Sequence, residues 1–307
     1  MSGFEIDTRL EAAIISTGET MDTQSFVKAF SLLPESENPK QTSVDGVPYI
    51  LHEDHRWVLP IVHFAQQQGT LPKPCTVIMF DRHHDALDPP HLAQDELKRL
   101  RIKPSLHGVT SLCAEHLRRI DDDWLKAGME LGFFGDAVIL GVREDFGAAK
   151  YRLYTDHVGN QHCIEMSSSL PRSDLAYQGH LSDVVRRSEF EPLWKILGWE
   201  QRGGDKRFRF LPDLPKILLT IDLDCFSFPW TDYVFAWPTK VFEGEFLKPS
   251  DYWSTPEWSG RSFLQALAKK AGLVTIARES ECTGGSEDSD SILKSLLHYG
   301  FEDRVVF

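Results

Sequence analysis

Apolar residues in this chain occur in short runs rich in β-branched side chains, and polar residues follow each run. The runs are continuous instead of alternating, which is typical of strands in a sheet that is covered on both faces. Five strands are predicted: VPYIL (47–51), TVIMF (76–80), AVILGV (137–142), KILLTI (216–221) and LVTIA (273–277).

Helical periodicity appears before and between these runs. Four helices are predicted: FVKAFSLL (26–33), WVLPIVHFAQQQ (57–68), DDDWLKAGMELG (121–132) and RSFLQALAKKAG (261–272). Strands that alternate with helices favour an α/β fold, a three-layer α/β/α arrangement around a mostly parallel, doubly wound sheet. In such sheets ligands bind beyond the carboxyl ends of the strands.

The domain organisation follows from the polar stretches. A chain of 307 residues is compatible with one large domain. We predict an N-terminal extension over residues 1–45, ending in a polar connector (34–46), and a main domain over residues 46–307. The aromatic and proline-rich stretch 225–257 predicts an ordered loop excursion over a sheet edge, and residues 145–215 also fit the strand pattern poorly.

Composition narrows the class of protein. Apolar residues make up 41% of the chain, so a sizeable core can be buried. A formal charge of −13 without a basic stripe disfavours nucleic acid as a partner. The chain lacks an apolar run near the roughly 20 residues that cross a bilayer, and its start lacks a secretory pattern, so we expect a cytoplasmic protein without a membrane partner. Five scattered cysteines without a CxxC pair are expected to be reduced thiols.

Three of the predicted strands lead into clusters of carboxylate and imidazole side chains. These clusters are HEDH (52–55), DRHHD (81–85) and DLD (222–224). Alternate residues of an extended chain share a face, so the DxHxD and DxD patterns each gather their side chains. Neighbouring parallel strands would then bring the clusters together at one edge of the sheet.

Such a gathering of aspartates needs positive charge. Four carboxylates within a few ångströms cannot all ionise unless a cation lies among them. Oxygen ligands with some imidazole and no thiolate suit Mn²⁺ or a similar metal better than a structural zinc. Four carboxylates balance two divalent cations, so the pattern predicts a dinuclear site and metal-assisted hydrolysis.

These residues resemble the ureohydrolase superfamily of arginases and agmatinases, in which a metal-binding His precedes DxHxD and DxD at successive strand ends. The resemblance is closest to the peptide arginases, through HEDHRWVLPIV, MFDRHHDAL, DDDWLKAGMELG, LLTIDLDCFS and LVTIARES. It implies an arginase-like fold, two Mn²⁺ ions, and conversion of arginine within a peptide or protein to ornithine with release of urea.

The resemblance also implies roles for individual residues. The implied metal ligands are His55, Asp81, His83, Asp85, Asp222 and Asp224. His55 is preferred over His52 because the family's first His opens a helix and HRWVLP can do so. Asp81 and Asp222 would bridge both ions, and Asp85 would also orient the attacking hydroxide.

Substrate contacts are implied in the same way. Arginases bind the guanidinium with a Glu just past a late strand, and here Glu279 is the first candidate and Glu281 the second. A His in a loop after DxHxD delivers the proton to the leaving amine. His107 is the candidate here, although His84 and His91 lie nearer in sequence.

Departures from the arginase pattern leave alternatives open. Glu53 and Asp54 replace paired glycines, Arg82 replaces an alanine, and Ser227 stands where a further Asp is usual. The pocket for a free amino acid is therefore unsupported, and the aromatic stretch predicts either a peptide groove or an apolar lid on the core.

Other functions remain compatible with the sequence. They are hydrolysis of free arginine or agmatine, a deacetylase-like amide hydrolase with one zinc on Asp81, His83 and Asp222, and non-catalytic binding of basic peptides. A homo-oligomer is also compatible with the sequence.

Overall fold

An eight-stranded, mostly parallel sheet forms the centre of this α/β chain in a computed structural model. The structure describes residues 26, 29–30, 33, 39–119, 123–142, 151–167, 200–201, 208–209, 216–230, 233–248 and 259–307. Within these ranges, no helix is both long enough and apolar enough to cross a membrane.

The strands of the central sheet are β1 Lys40–Val44, β2 Val47–His52, β3 Cys75–Phe80, β4 Phe134–Leu140, β5 Tyr151–Thr155, β6 Gln161–Ser167, β9 Ile217–Asp222 and β12 Ala271–Ala277. Two small sheets pair β7 Glu200–Gln201 with β8 Phe208–Arg209, and β10 Ser227–Trp230 with β11 Tyr233–Ala236. The described ranges contain seven α-helices: α1 Val58–Gln67, α2 Gln94–Ile102, α3 Leu106–Glu115, α4 Trp124–Glu130, α5 Thr239–Leu247, α6 Gly260–Lys270 and α7 Ser286–Ser295.

The strand order is β1-β2-β12-β9-β3-β4-β6-β5, and only the outer strands β1 and β5 run antiparallel to their neighbours. From β3 the chain proceeds outward to β4 and β6, whereas β9 returns to the other side of β3. The direction of winding thus reverses between β3 and β9. A reversal of this kind opens a crevice at the carboxyl ends of the strands.

Helices cover both faces of this sheet, and alternate strand residues enter two separate cores. One core joins α1 to α4 with Ile50, Val77, Met79, Ala137, Ile139, Leu218 and Leu273. The other joins α5 to α7 with Tyr49, Leu51, Ile78, Phe80, Val138, Leu140, Leu219, Ile221, Val274 and Ile276. Burial on both faces explains the continuous apolar runs. The prediction of a mostly parallel α/β sheet is confirmed, and all five predicted strands lie in it.

The predicted connector was wrong over part of its length. Residues Lys40–Val44 form an edge strand that pairs with β2, so the sheet begins within the segment assigned to the extension. Asp45 and Gly46 turn the chain with φ of 52° and 80°. An Asp-Gly pair with positive φ is the usual turn of a tight hairpin, a signal that was present in the sequence. Phe26 and Phe30 are also buried, against Phe64.

The loop predicted over residues 225–257 is likewise largely structured where it is described. It contains the β10–β11 hairpin and helix α5. Phe226, Phe242 and Phe246 are fully buried and contact one another, whereas Tyr233 is 67% exposed. Aromatic burial in the second core overrode the local loop signals. Residues 231–232 and 249–258, with Trp253 among them, lie outside the described residues.

Candidate metal centre

The acidic residues lie at the ends of strands, along one edge of the sheet. Asp81 directly follows β3, Asp222 ends β9, and His55 begins a short 3-10 helix just after β2. The side chain of Asp54 starts that helix by accepting a hydrogen bond from the Arg56 N–H. Because β2, β12, β9 and β3 are parallel neighbours, their carboxyl ends meet.

A first cluster surrounds His55, and we name it position 1. Its Nδ1 lies 2.8 Å from Asp85 Oδ2, 3.2 Å from Asp81 Oδ2 and 3.3 Å from Asp222 Oδ2. All four side chains are buried. An imidazole nitrogen can donate one hydrogen at most, so it cannot satisfy three carboxylates. The arrangement leaves negative charge that a cation would balance.

A second cluster adjoins the first, and we name it position 2. His83 Nδ1 lies 2.9 Å from Asp224 Oδ2 and 4.0 Å from Asp81 Oδ1. Asp81 therefore presents one oxygen to each position. Ligand atoms of Asp81, His83 and Asp224 all lie within 4.8 Å of one another, as do those of the set His55, Asp81 and Asp85. The structure thus brings the six predicted ligands together as two adjoining groups.

Backbone amides fix the carboxylates in place. Asp81 Oδ1 accepts a hydrogen bond of 2.7 Å from the His83 N–H, and Asp222 Oδ1 accepts one of 2.8 Å from the Asp224 N–H. Both bonds span two residues, which is the usual pattern of an Asp that turns the chain. The bonds leave the Oδ2 atoms of Asp81 and Asp222 facing position 1.

Two neighbouring residues that the sequence did not single out orient these groups. Thr220 Oγ1 lies 2.8 Å from His55 Nε2, the ring nitrogen that faces away from the carboxylates. The Trp124 indole N–H donates to Asp85 Oδ2. Such outer contacts hold a metal ligand in the required orientation. Thr220 precedes Asp222 by two residues on β9, so strand alternation was the available signal.

Burial and mutual repulsion alter protonation in the cluster. Burial, followed by the charge of Asp85, raises the pKa of Asp81 well above its usual range. Burial and the charge of Asp224 raise the pKa of Asp222 to about 6. For His55, burial favours the neutral ring, but the surrounding carboxylates, Asp85 first, raise its pKa well above the ordinary value. Bound protons thus compensate the charge, and a bound cation would displace them.

Glu279 follows β12 and lies at the rim of position 1. Its Oε1 accepts a hydrogen bond of 3.2 Å from the His55 N–H, and its ligand atoms group with those of His55 and Asp222. Burial, followed by the charge of Asp222, raises the pKa of Glu279 well above its usual range. Glu279 has φ of 36° and Asp85 has φ of 49°. Positive φ is rare outside glycine, and such strain concentrates at functional sites.

Two predicted residues are not brought into the cluster. Glu281 is exposed and pairs with Arg119 at 3.2 Å, on the outer side of the same turn. His107 is exposed in the first turn of α3 instead of lying in a loop, and it contacts none of the cluster residues within the described ranges. Its role as proton donor stays a prediction, and α3 buries Val109, Leu112 and Cys113 in the core that also contains α1.

Two other histidines near the motif contact backbone groups. His52 Nδ1 lies 3.0 Å from the Asp54 carbonyl, and burial lowers the pKa of His52 to about 3. His84 is buried and its Nδ1 accepts a hydrogen bond from the Ala86 N–H. The five cysteines, all within the described ranges, form no disulfide.

The chain matches no protein-family model, and no curated protein matches it. The geometry of the site therefore carries the functional assignment.

Proposed function

We propose that the protein is a dinuclear, Mn²⁺-dependent hydrolase that converts arginine side chains in a peptide or protein to ornithine and releases urea. The observation that carries this proposal is the pair of adjoining acidic positions that share Asp81. The resemblance to ureohydrolases agrees with the identity and the spacing of the six ligands.

Buried atoms that their neighbours do not fully satisfy support the fit of the metal. Within the described ranges, His55 Nδ1, Asp81 Oδ2 and Asp224 Oδ2 are buried and lie close to charged partners, but they form no hydrogen bond of good geometry. A buried polar atom that is not fully satisfied lowers the stability of the fold unless a bound ligand interacts with it. His55, Asp81, Asp85 and Asp222 would hold one ion, and Asp81, His83, Asp222 and Asp224 the other. When bound, the ions supply an activated water at neutral pH.

The protein's own groups would position the reactants. Asp85, held by the Trp124 indole, would accept a hydrogen bond from the attacking water and so direct it. Glu279 would bind the guanidinium, because a planar cation with several donors is recognised best by a carboxylate. Since Glu279 lies beside His55, a guanidinium bound to it would lie next to position 1.

The mouth of the site suits a cationic substrate. A crevice beside Glu279 is lined by Glu53, Asp54, Arg119 and Glu281, so acidic side chains outnumber the single basic one. Arg119 is held by Glu281 at 3.2 Å and lies 3.7 Å from Asp54. Because Arg56 lies 3.1 Å from Asp54 and Arg278 lies 3.7 Å from Glu53, the attraction for an arginine side chain would come mainly from Glu279.

The test is urea release by the Mn²⁺-loaded protein from an arginine-containing peptide. Each converted arginine should lower the peptide mass by about 42 Da, the difference between urea and water. Urea from free arginine or agmatine but not from peptides would assign a small guanidino substrate. In the single-zinc alternative Asp81, His83 and Asp222 alone would hold the metal, although Asp222 Oδ2 lies beside His55 and His83 Nδ1 lies beside Asp224. One zinc per chain with amide hydrolysis would overturn the proposal in favour of that alternative.

A matched pair of variants tests the role of Glu279. Glu279→Gln keeps the side-chain size and removes the charge, so we expect urea release from the peptide to fall at least about a hundredfold, as for loss of a charge-assisted hydrogen bond in a buried site. Glu281→Gln, on the outer side of the turn, should change it less than about threefold. Peptide binding without urea release by the wild-type chain would instead assign a binding protein.

A further inference from the structure

Arg82 extends from the DRHHD segment into the base of the site, where the arginase pattern has an alanine. Its side chain is 11% exposed, and its Nε lies 3.5 Å from Asp224 Oδ2. Nη1 donates a hydrogen bond of 3.1 Å to Ser227 Oγ, and Nη2 donates one of 3.3 Å to the Cys282 carbonyl. One guanidinium therefore joins three segments of the site.

The same carboxylate oxygen serves two cationic partners. Asp224 Oδ2 lies 2.9 Å from His83 Nδ1, so it is the oxygen that an ion at position 2 would use. Arg82 already places a full positive charge beside it. Two cations near one buried carboxylate repel each other, and removing one changes the affinity for the other by about ten- to a hundredfold.

At position 1 the arginine that adjoins His55 in sequence is turned away from the carboxylates. Arg56, next to His55 in sequence, turns outward to Asp54 at 3.1 Å and to the Leu117 carbonyl at 3.2 Å. The electrostatic environments of the two positions therefore differ, although both contain an imidazole and carboxylates.

The contact with Cys282 connects Arg82 to the turn that carries Glu279, the proposed substrate-binding residue. The Cys282 N–H donates a hydrogen bond of 2.8 Å to the Glu279 carbonyl, which closes the turn that carries Glu279. Through its bond to the Cys282 carbonyl, Arg82 holds that turn from the side of position 2.

We propose that Arg82 is a positioning residue that makes the two cation positions unequal in affinity and couples the weaker one, position 2, to the turn that carries Glu279. The metal-binding part depends only on the cluster binding divalent cations. The coupling part rests on the proposed function, because it concerns binding of the guanidino substrate.

The first experiment is calorimetric titration of the metal-free protein with Mn²⁺ alone. The wild-type chain should bind in two steps. Arg82→Gln should tighten the second step by about tenfold or more, because it removes the competing charge. Arg82→Lys retains the charge and should keep the second step weak. Arg56→Gln, which removes an arginine charge outside the cluster, is the matched control and should leave both steps unchanged.

The second experiment measures urea release by the Mn²⁺-saturated variants. Neither Gln nor Lys can span Ser227 Oγ and the Cys282 carbonyl, so both Arg82 variants should raise KM for the arginine peptide about tenfold, with a smaller change in kcat. A merely destabilising substitution would weaken metal binding, the opposite of the result expected for Arg82→Gln.

If folded Arg82→Gln binds Mn²⁺ in the second step with unchanged or lower affinity, the two positions are not made unequal by Arg82. If KM is unchanged in both Arg82 variants, Arg82 does not couple position 2 to the turn that carries Glu279. If circular dichroism shows Arg82→Gln unfolded, Arg82→Lys decides the matter. It keeps the charge but loses the bond to the Cys282 carbonyl, so it must raise KM while the second step stays weaker than the first. Ser227→Ala leaves that bond in place and should raise KM less than Arg82→Lys does. If the wild-type protein binds Mn²⁺ in two steps but releases no urea, the proposed function is wrong. The metal titration then still tests the role of Arg82.

Discussion

At the scale of single residues, the cluster depends on groups that fix a ligand without facing the ion. Thr220 illustrates this, because its hydroxyl lies 2.8 Å from His55 Nε2 and so turns Nδ1 towards the carboxylates. Both Thr220 and its partner in register on β12, Thr275, are fully buried. Thr275 Oγ1, in contrast, forms no hydrogen bond within the described ranges. Comparing the two threonines therefore distinguishes the effect of orienting a metal ligand from the effect of burying a hydroxyl group.

Thr220→Val should weaken the tighter Mn²⁺-binding step about ten- to a hundredfold, the usual cost of losing an outer contact to a metal ligand. Val retains the shape and the strand preference of Thr, so the fold should persist. Thr275→Val is the matched control and should leave Mn²⁺ affinity unchanged while slightly raising the free energy of unfolding. Titration with Mn²⁺ and denaturant unfolding measure both quantities. Equal Mn²⁺ affinities in the two variants would contradict the role of Thr220.

A buried histidine far from the cluster makes stability depend on pH. His63 on α1 stacks on Phe133 at 5.3 Å between ring centroids, and burial lowers its pKa from 6.5 to about 4. The unfolded chain therefore takes up this proton first as the pH falls. The contribution to stability is present above about pH 6.5 and is lost as the pH falls towards 4.

His63→Gln should remove this part of the pH dependence. We expect the wild-type chain to lose about 2 kcal/mol more than the variant between pH 7 and pH 5, as follows from the shifted pKa. Urea unfolding at several pH values measures the difference. His107→Gln, at an exposed histidine, is the control and should follow the wild-type curve. Parallel curves for His63→Gln and the wild-type chain would refute the expectation.

At the scale of elements, local signals identified some features correctly and were overruled for others. The continuous apolar runs predicted the buried strands because each strand is covered on both faces. Strand β1 has few apolar residues because it lies at the sheet edge, so its evidence was the Asp45–Gly46 turn alone. The aromatic residues of helix α5 looked like a loop excursion, and their burial became apparent only through contacts with Phe226.

The hairpin turn gives a test at this scale. Gly46→Ala should lower the free energy of unfolding by about 1 kcal/mol, because φ of 80° is unfavourable for a residue with a Cβ atom. Gly244→Ala, within helix α5, has open space around its Cβ and should raise the free energy of unfolding by up to about 1 kcal/mol. Opposite signs in denaturant unfolding are expected. A stabilising Gly46→Ala would contradict the turn geometry.

At the scale of the whole molecule, the carboxylate cluster opposes folding unless it is neutralised. Asp81 faces both positions, so its charge is repelled by Asp85, Asp224 and Asp222 in the metal-free state. A cation that binds only the native state stabilises it by mass action. The sign of a mutational effect at Asp81 should therefore depend on whether metal is present.

Asp81→Asn should raise the unfolding temperature of the metal-free protein, because it relieves repulsion between buried carboxylates. In saturating Mn²⁺ the wild-type chain should gain about 3 kcal/mol or more per site at a hundredfold excess over Kd, and the variant should lose most of this gain. Thermal unfolding in EDTA and in Mn²⁺ measures the two states. Asp95→Asn, on the exposed face of α2, should follow the wild-type chain in both. Equal Mn²⁺ stabilisation of Asp81→Asn and the wild-type chain would exclude Asp81 as a shared ligand.

The sequence by itself determined the strands, the acidic composition of their ends and the kind of ligands available. These properties are local, since residue type and periodicity express which faces of an element are buried. The tertiary structure decided the strand order, the two positions that meet at Asp81, and the contacts of Thr220, Trp124 and Arg82. His55 and Thr220 are 165 positions apart, and Arg82 and Cys282 are 200 apart. Contacts at such separations depend on the free energy of the whole sheet and both cores, which no short stretch of sequence contains.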